Sequence, residues 1–420
     1  MLYKDRYFAE KWLIISIPIS TIFSIFFLEL SLIFISISFI YKSYINKELK
    51  LFFKNKLFYF FIVFYFYILI RFLFVENELQ YETISIIFYF RYGLYFLAIF
   101  YFLTKIPKLE EIFLKSVVII FIILFIDSIF QFILGYNLLG FKTFDGNRIS
   151  SFFGDELILG SYLLRFSPFI FIFLILNINS KFNYWLSFVL IIIADIIIFM
   201  TGERAAAGLV VVLTIYYLIF LNNLRILRIL SLLISSLIIF SLITFSTSVK
   251  ERIVDKTFEE LSLDQKNPNI AEIFPKEKFN LDFYIISPTH TNYIFTSINM
   301  FKENIFFGMG PKTYRYFCND ERFKINRFSC STHPHNYYVQ ILAELGLFGF
   351  IFIFLAILFI VLKSIKNILE KKKYNNYAIC IYGFYIINFW PFTSTGNFFN
   401  NWLSILMYLP LGFYLFRLSK

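Results

Sequence analysis

The stretch STHPHNYYVQILAELGLFG, residues 331–349, passes from a polar segment into a hydrophobic helix. Its turn carries Pro334, His335 and Asn336. Proline suits a first helical position, where its missing N–H would have no partner anyway. Ser331, Thr332 or His333 stands where a side chain could cap the backbone just before it. Asn336, Gln340 and Glu344 then recur every fourth residue and form one polar stripe on an otherwise apolar helix. Gly346 and Gly349 are small residues of the kind that let a neighbouring helix approach closely. Polar groups are costly in lipid, so a stripe of this kind marks a built site.

Composition sets the surroundings. With 59% hydrophobic and 16% charged residues and a mean hydropathy of +0.72, an ordinary soluble domain is excluded. Many runs exceed the roughly 18 apolar residues that suggest a membrane-spanning helix, so the fold class is an all-α integral membrane protein. The 62 Phe and 29 Tyr accompany abundant Ile, Lys and Asn, and are read as compositional bias with no functional weight. A net charge of +11 would suggest nucleic acid in a soluble protein; here membrane topology accounts for much of it, and no nucleic-acid partner is expected. The start, MLYKDRYFAEKW, leads into an apolar run without a clear cleavage site and reads as a retained first span. Cys380 falls inside a helix, while Cys318 and Cys330 could pair in an oxidising compartment.

Residues 12–41 are too long for one helix and are expected to break near Glu29 into two spans. Further spans are expected at about 57–75, 83–104, 112–134, 157–176 and 184–200, then on either side of the basic turn 222–228, and finally from the opening stretch onward, at 377–390 and at 401–416. That makes about twelve spans, with residues 1–245 carrying the first nine, 246–336 forming one large hydrophilic loop, and 337–420 carrying the last three. An even count puts both ends on one side. The basic loops around Lys47, Arg225 and Lys371 fall on that side, and the opposite short loops hold only Lys142, Arg148 and Arg204. The asymmetry makes the basic side cytoplasmic and places the large loop and His335 outside. Arg71, Arg91, Asp127, Arg165, Asp195 and Glu344 all fall within about 15 Å of the outer surface at 1.5 Å per residue. Each could belong to a structural ion pair; together they favour a polar cavity opening outward.

At a helix N-terminus the macrodipole disfavours protonation of His335, and a neutral imidazole there could accept a proton from a hydroxyl. A helix-capping histidine is the plain alternative. A zinc site built from Cys318, Cys330, His333 and His335 has suitable ligand types but lacks the paired spacing of zinc modules. Arg148 and Arg204 offer planar forks suited to phosphate oxygens, although either could be an interfacial anchor. No carboxylate cluster with metal-ligand spacing lies on this face, which argues against magnesium-dependent transfer.

These residues resemble the O-antigen ligase and O-antigen polymerase superfamily. HPHNYYVQILAELGLFG is similar to its signature, a His-Asn pair before a Glu-x-Gly-x-x-Gly helix; FGMGPKTY resembles its Gly-x-Gly segment, and NRISSFFGDELILGSYL and TGERAAAG its two arginine-bearing turns. Gly-Asp-Glu-Leu stands where the family carries an Asn-Pro-Asn-like element. The resemblance implies a GT-C-like fold in a bacterial inner membrane, with both termini cytoplasmic and the active site periplasmic. It implies inverting glycosyl transfer from an undecaprenyl-diphosphate-linked glycan to a sugar hydroxyl of lipid A-core or of another glycan, with no metal or other cofactor. His335 would activate the acceptor hydroxyl, Arg148 and Arg204 would bind the diphosphate, and Asn336, Gln340, Glu344, Gly346 and Gly349 would shape the cavity. Ligation and repeat-unit polymerisation both fit, with ligation preferred. A twelve-helix transporter is the competing class, but the inner half reads as apolar and no internal repeat is found.

Overall fold

Lipid offers no partner to a backbone N–H or C=O, so apolar runs of this length satisfy their peptide groups by coiling. The computed structural model of the protein describes residues 6–143, 148–245, 250, 287–369 and 376–419. Among the described residues there are helices and irregular segments, one isolated bridge between Tyr136 and Lys142, and no strand. The helices in chain order are α1 (Phe8–Ile15), α2 (Ile17–Phe23), α3 (Ile25–Ile45), α4 (Leu49–Phe53), α5 (Lys56–Leu73), α6 (Asn77–Thr83), α7 (Arg91–Lys105), α8 (Leu109–Leu134), α9 (Leu159–Leu176), α10 (Lys181–Met200), α11 (Arg204–Phe220) and α12 (Arg225–Phe245). There follow α13 (Pro288–Glu303), α14 (Tyr314–Phe317), α15 (Tyr337–Leu369), α16 (Asn376–Asn388) and α17 (Asn401–Leu418).

Among the described residues eight helices are long and apolar enough to cross a membrane alone, and α11 is a shorter apolar helix. The other passages of the twelve-span reading fall on α1 with α2, on the 13-residue α16 and on the 18-residue α17. Much of the expected large loop, including Gln265, and the basic run around Lys371 lie outside the described residues. The break that separates the first two passages is at Ser24, not near Glu29. Ser24 is extended (φ −162°, ψ 110°) and its Oγ accepts the Phe27 N–H at 3.2 Å, capping α3.

The buried centre consists of α7, α9, α16 and α17, whose residues are covered on most faces. The outer helices α3, α5, α12 and α15 turn Phe, Leu and Ile outward, as with Phe26, Phe66, Leu237 and Phe354, which is what a lipid-facing surface requires. Ion pairs join the helices: Glu10 with Lys42 at 2.5 Å, Glu48 with Lys105 at 2.5 Å, and Glu110 with Arg417 at 2.5 Å.

Four of the six ionisable residues expected to line a cavity are tied into the fold with their charge paired or fully bonded. Arg91 grips Glu29 with two 3.1 Å bonds, and Asp195 pairs with Arg228 at 2.6 Å. Asp127 accepts from Ser151 Oγ at 2.5 Å and from the Leu138 N–H at 2.8 Å, pinning the loop after α8. Glu344 accepts the Tyr314 N–H at 3.1 Å. A fifth, Arg71, donates to the carbonyls of Phe307 at 2.9 Å and Gly308 at 3.0 Å. Arg165 pairs with no carboxylate among the described residues.

The two signature glycines do something other than admit a neighbouring helix. Gly346 sits at φ +66°, ψ −165°, a conformation essentially confined to glycine, and it breaks α15. The freed groups bond with the segment just after α13: Met309 N–H to Ala343 O and Gly310 N–H to Glu344 O, each 2.8 Å, then Leu347 N–H to Ile305 O at 2.8 Å and Phe348 N–H to Phe306 O at 3.2 Å. Leu345 O is taken by the Tyr67 hydroxyl. A Cβ on Gly346 would lie 2.4 Å from the Phe306 carbonyl carbon, and one on Gly308 would lie 2.5 Å from the Leu345 nitrogen. Gly349 instead makes room within its own helix, since a Cβ there would meet Leu345 Cβ at 2.2 Å. Gly346→Ala should therefore destabilise the fold by about 2 kcal/mol or more, read as a lowered unfolding midpoint in detergent; an unchanged midpoint would mean that the break is not under this constraint.

Candidate functional site

The polar stripe of α15 is spent on holding loops. Asn336 is the helix cap: its Oδ1 accepts the N–H groups of Tyr338 at 3.0 Å and Val339 at 3.4 Å, and its Nδ2 donates to Pro391 O at 2.9 Å. Gln340 Oε1 accepts the Phe398 N–H at 3.0 Å, and its Nε2 donates to Asn397 Oδ1 at 3.0 Å and to Glu344 Oε2 at 3.1 Å. All three are buried. The stripe thus fixes the irregular segment between α16 and α17 on one side and the 312–314 turn on the other.

This arrangement corrects the expected place of His335. The helix begins at Tyr337, so Pro334 is not its first residue and His335 lies outside it. His335 adopts φ +55°, a left-handed conformation that costs a non-glycine residue about 1–2 kcal/mol. Neighbouring bonds hold it there. The Thr395 N–H donates to His335 O at 2.7 Å, and His333 Nε2 reaches Thr395 O at 3.3 Å. A carbonyl can only accept, so His333 carries its proton on Nε2 and its Nδ1 accepts from Thr332 Oγ1 at 2.9 Å. Both nitrogens of His333 are therefore engaged. Cys318 and Cys330 are joined in a disulfide with Cα atoms 4.9 Å apart, which withdraws both sulfurs from the zinc alternative.

All three histidines of the chain converge here. The His335 ring lies 4.0 Å from that of His333 and 5.2 Å from that of His290, centre to centre, with Tyr293 stacked at 5.6 Å. His290 belongs to no motif; only the Ser-Pro start of α13 marks its position, and sequence reading missed it. Ser287 Oγ caps α13 by accepting the His290 N–H at 3.2 Å and lies 2.6 Å from His290 Nδ1. His290 Nδ1 is thus engaged by Ser287, whichever of the two donates. No hydrogen bond engages the His335 ring among the described residues.

Burial lowers the pKa of His335 from the ordinary 6.5. Burial, then neighbouring His335 and Arg204, lowers His290 to about 4. Burial, then His335, lowers His333 to about 4, against an opposing hydrogen bond to Thr395. The cluster is therefore neutral at pH 7.

The expected arginines come together at a neighbouring turn. Arg148 Nε donates to Thr201 O at 3.0 Å, three residues before Arg204 at the start of α11, and Arg204 is close enough to bias the ionisation of His290. Glu203 beside it accepts the N–H groups of Gly160 at 2.6 Å and Ser161 at 3.0 Å, locking this turn to the start of α9. Among the described residues the site thus offers a neutral imidazole with no hydrogen bond on its ring, in a cluster whose His290 lies within the influence of Arg204.

Residues 186–354 match the family model for O-antigen ligase. The matched span contains Arg204, the three histidines and the whole signature, and bears out the resemblance to the ligase and polymerase superfamily; Arg148 lies outside it. It supports glycan transfer of the ligase or polymerase type, with a lipid-linked glycan and an acceptor as substrates in general terms. A comparison with curated proteins gave no match.

The nitrogen geometry predicts unequal reactivity. Diethyl pyrocarbonate, which attacks neutral imidazole, should modify His335 fastest and His333 slowest, as read by peptide mass spectrometry on the folded protein. Because the lowered pKa values keep the rings neutral, the rate should be flat above pH 6.5 and fall only at lower pH. Fastest labelling at His333 would contradict the bonding described.

Proposed function

We propose that the protein is an O-antigen ligase-type glycosyltransferase of a bacterial inner membrane, with both termini cytoplasmic and the site on the periplasmic face. The donor is a glycan on undecaprenyl diphosphate and the acceptor a sugar hydroxyl of lipid A-core. The observation that carries this reading is His335, held in a left-handed conformation with no hydrogen bond on its ring among the described residues, in a cluster whose His290 lies within the influence of Arg204, with Arg148 bonded to the same turn. The acceptor O–H attacks the anomeric carbon as His335 takes its proton. The bond from that carbon to the diphosphate oxygen breaks on the opposite face, with inversion, and the electron pair leaves on the lipid diphosphate. Arg148 and Arg204 stabilise that departing charge. Diphosphate is a good leaving group, so positioning and charge stabilisation suffice and no metal is invoked.

Two further features support the reading. A cavity of about 470 Å³ runs between α5, α15, α16 and α17, lined by Phe60, Phe64, Phe352, Phe389, Phe398 and Tyr408 among others; its apolar walls suit an isoprenoid tail. The disulfide fits an oxidising compartment. Glu321→Cys, at a side chain 83% exposed, should react with a membrane-impermeant thiol reagent in intact spheroplasts, and Lys47→Cys should not. The reverse pattern would put the site on the wrong face.

His335→Ala should lower transfer from a defined lipid-linked donor by about 10²–10⁴-fold while leaving donor binding near normal. Arg148→Ala and Arg204→Ala should impair both, with lysine a partial rescue because it loses the planar fork. Neutral His335 is the active form, so transfer should be level above pH 6.5 and decline as pH falls through its lowered pKa. Near-normal transfer by folded His335→Ala would remove the assignment.

A further inference from the structure

Arg165, like Arg71, pairs with no carboxylate among the described residues. It lies six residues into α9, about 9 Å below that helix's outer end at 1.5 Å per residue. Its Nε donates to Asn388 Oδ1 at 3.0 Å and its Nη1 to Ser161 O at 3.1 Å, and the guanidinium lies 5.9 Å from the centre of the Trp402 ring. No bond engages Nη2 among the described residues. Glu203, whose charge reaches it, is already committed to Gly160 and Ser161. An unneutralised cation at this depth is expensive, and such residues face a ligand or a polar cavity.

A buried group without a partner lies within its electrostatic reach. The Tyr337 hydroxyl is buried and has no hydrogen-bond partner, and it is close enough to Arg165 for each to influence the other. Leaving a buried hydroxyl unpaired costs about 1–3 kcal/mol. The Tyr337 ring packs on Phe389 at 6.1 Å and Phe398 at 5.5 Å, and both line the outer end of the apolar cavity. Asn388, the partner of Arg165, immediately precedes Phe389. The pair therefore stands where an apolar tail would give way to its phosphate.

We propose that Arg165 and Tyr337 form an anion subsite, with Asn388 holding the guanidinium, for the phosphate directly attached to an isoprenoid chain. The inference rests on the proposed lipid-diphosphate donor and deepens it: Arg148 and Arg204 meet the diphosphate from the outer turn, and Arg165 meets it from within the helix bundle. Tyr337 donates its O–H to a phosphate oxygen, and Arg165 donates the free edge of its guanidinium.

The test is direct binding of farnesyl diphosphate, farnesol and inorganic diphosphate to the purified full-length chain in nanodiscs by calorimetry. Arg165→Gln should weaken farnesyl diphosphate binding by about 10- to 100-fold, the worth of hydrogen bonds to a charged group, and leave farnesol binding unchanged. Arg165→Lys should recover part of the loss. Weakening of inorganic diphosphate alone would show a site for free phosphate and overturn the lipid assignment. Should Arg165→Gln fail to fold, Tyr337→Phe decides: it deletes an unpartnered hydroxyl, so thermal stability should hold or rise while farnesyl diphosphate binding weakens. Wild-type affinity in folded Arg165→Gln, or in Tyr337→Phe, overturns the proposal. Arg165-dependent binding by a wild-type chain that transfers no glycan would uphold the subsite and remove the reaction; intact transfer with Arg165-independent binding would do the reverse.

Discussion

The backbone exchange at Gly346 is the constraint on which the half of the molecule around the histidine cluster depends. A helix interrupted within the membrane exposes carbonyl and N–H groups that lipid cannot satisfy. Here the 305–310 segment supplies partners on both sides of the break, Tyr67 takes Leu345 O, and Arg71 ties the back of that segment to α5. Because the pairing is main chain to main chain, neither Gly346 nor Gly308 has room for a side chain. The same contact brings α13, and with it His290, against the start of α15. The break and the histidine cluster are therefore two ends of one arrangement.

The polar stripe continues that logic. Asn336, Gln340 and Glu344 bind backbone groups at positions 391, 398 and 314, respectively, so three side chains on one face position two irregular segments around His335. Irregular backbone at this depth is tolerated only where it is buried in protein or lines a cavity. Each stripe residue meets that condition for a particular loop, and Thr395 on one of those loops in turn holds His335. Catalytic geometry is often secured by partners that never touch substrate, and the left-handed conformation of His335 needs such over-determination to persist.

The sequence was legible wherever a period or a composition shift carried the message. Hydropathy located the long apolar helices, and the four-residue spacing predicted the buried stripe. Capping was read one step too early: Pro334 looked like a first helical residue, but Asn336 caps the helix two residues later, a competition that three-dimensional bonding to Pro391 and Thr395 decides. The role of Gly346 was hidden because small-residue helix packing and a main-chain break both call for glycine. His290 could not be found by spacing, since it lies 45 residues from His335 in the chain and meets it only through the 305–310 exchange. Most of the intramembrane charges turned out to hold the fold, which no single residue could reveal before its partner was placed.

The charge distribution has a consequence for the chemistry. Three half-buried imidazoles close together cannot all be protonated at modest cost, and Arg204 near His290 raises that cost further; the cluster therefore stays neutral. A neutral ring can accept a proton only if the cation thus formed is compensated. Under the proposed reaction the compensation arises in the same step, because negative charge develops on the departing diphosphate as the proton reaches His335. Arg204, which disfavours a protonated His290 in the resting cluster, would under that reaction also bind the developing anion. Under that proposal one arrangement would keep the base in its working form before reaction and balance its charge during it.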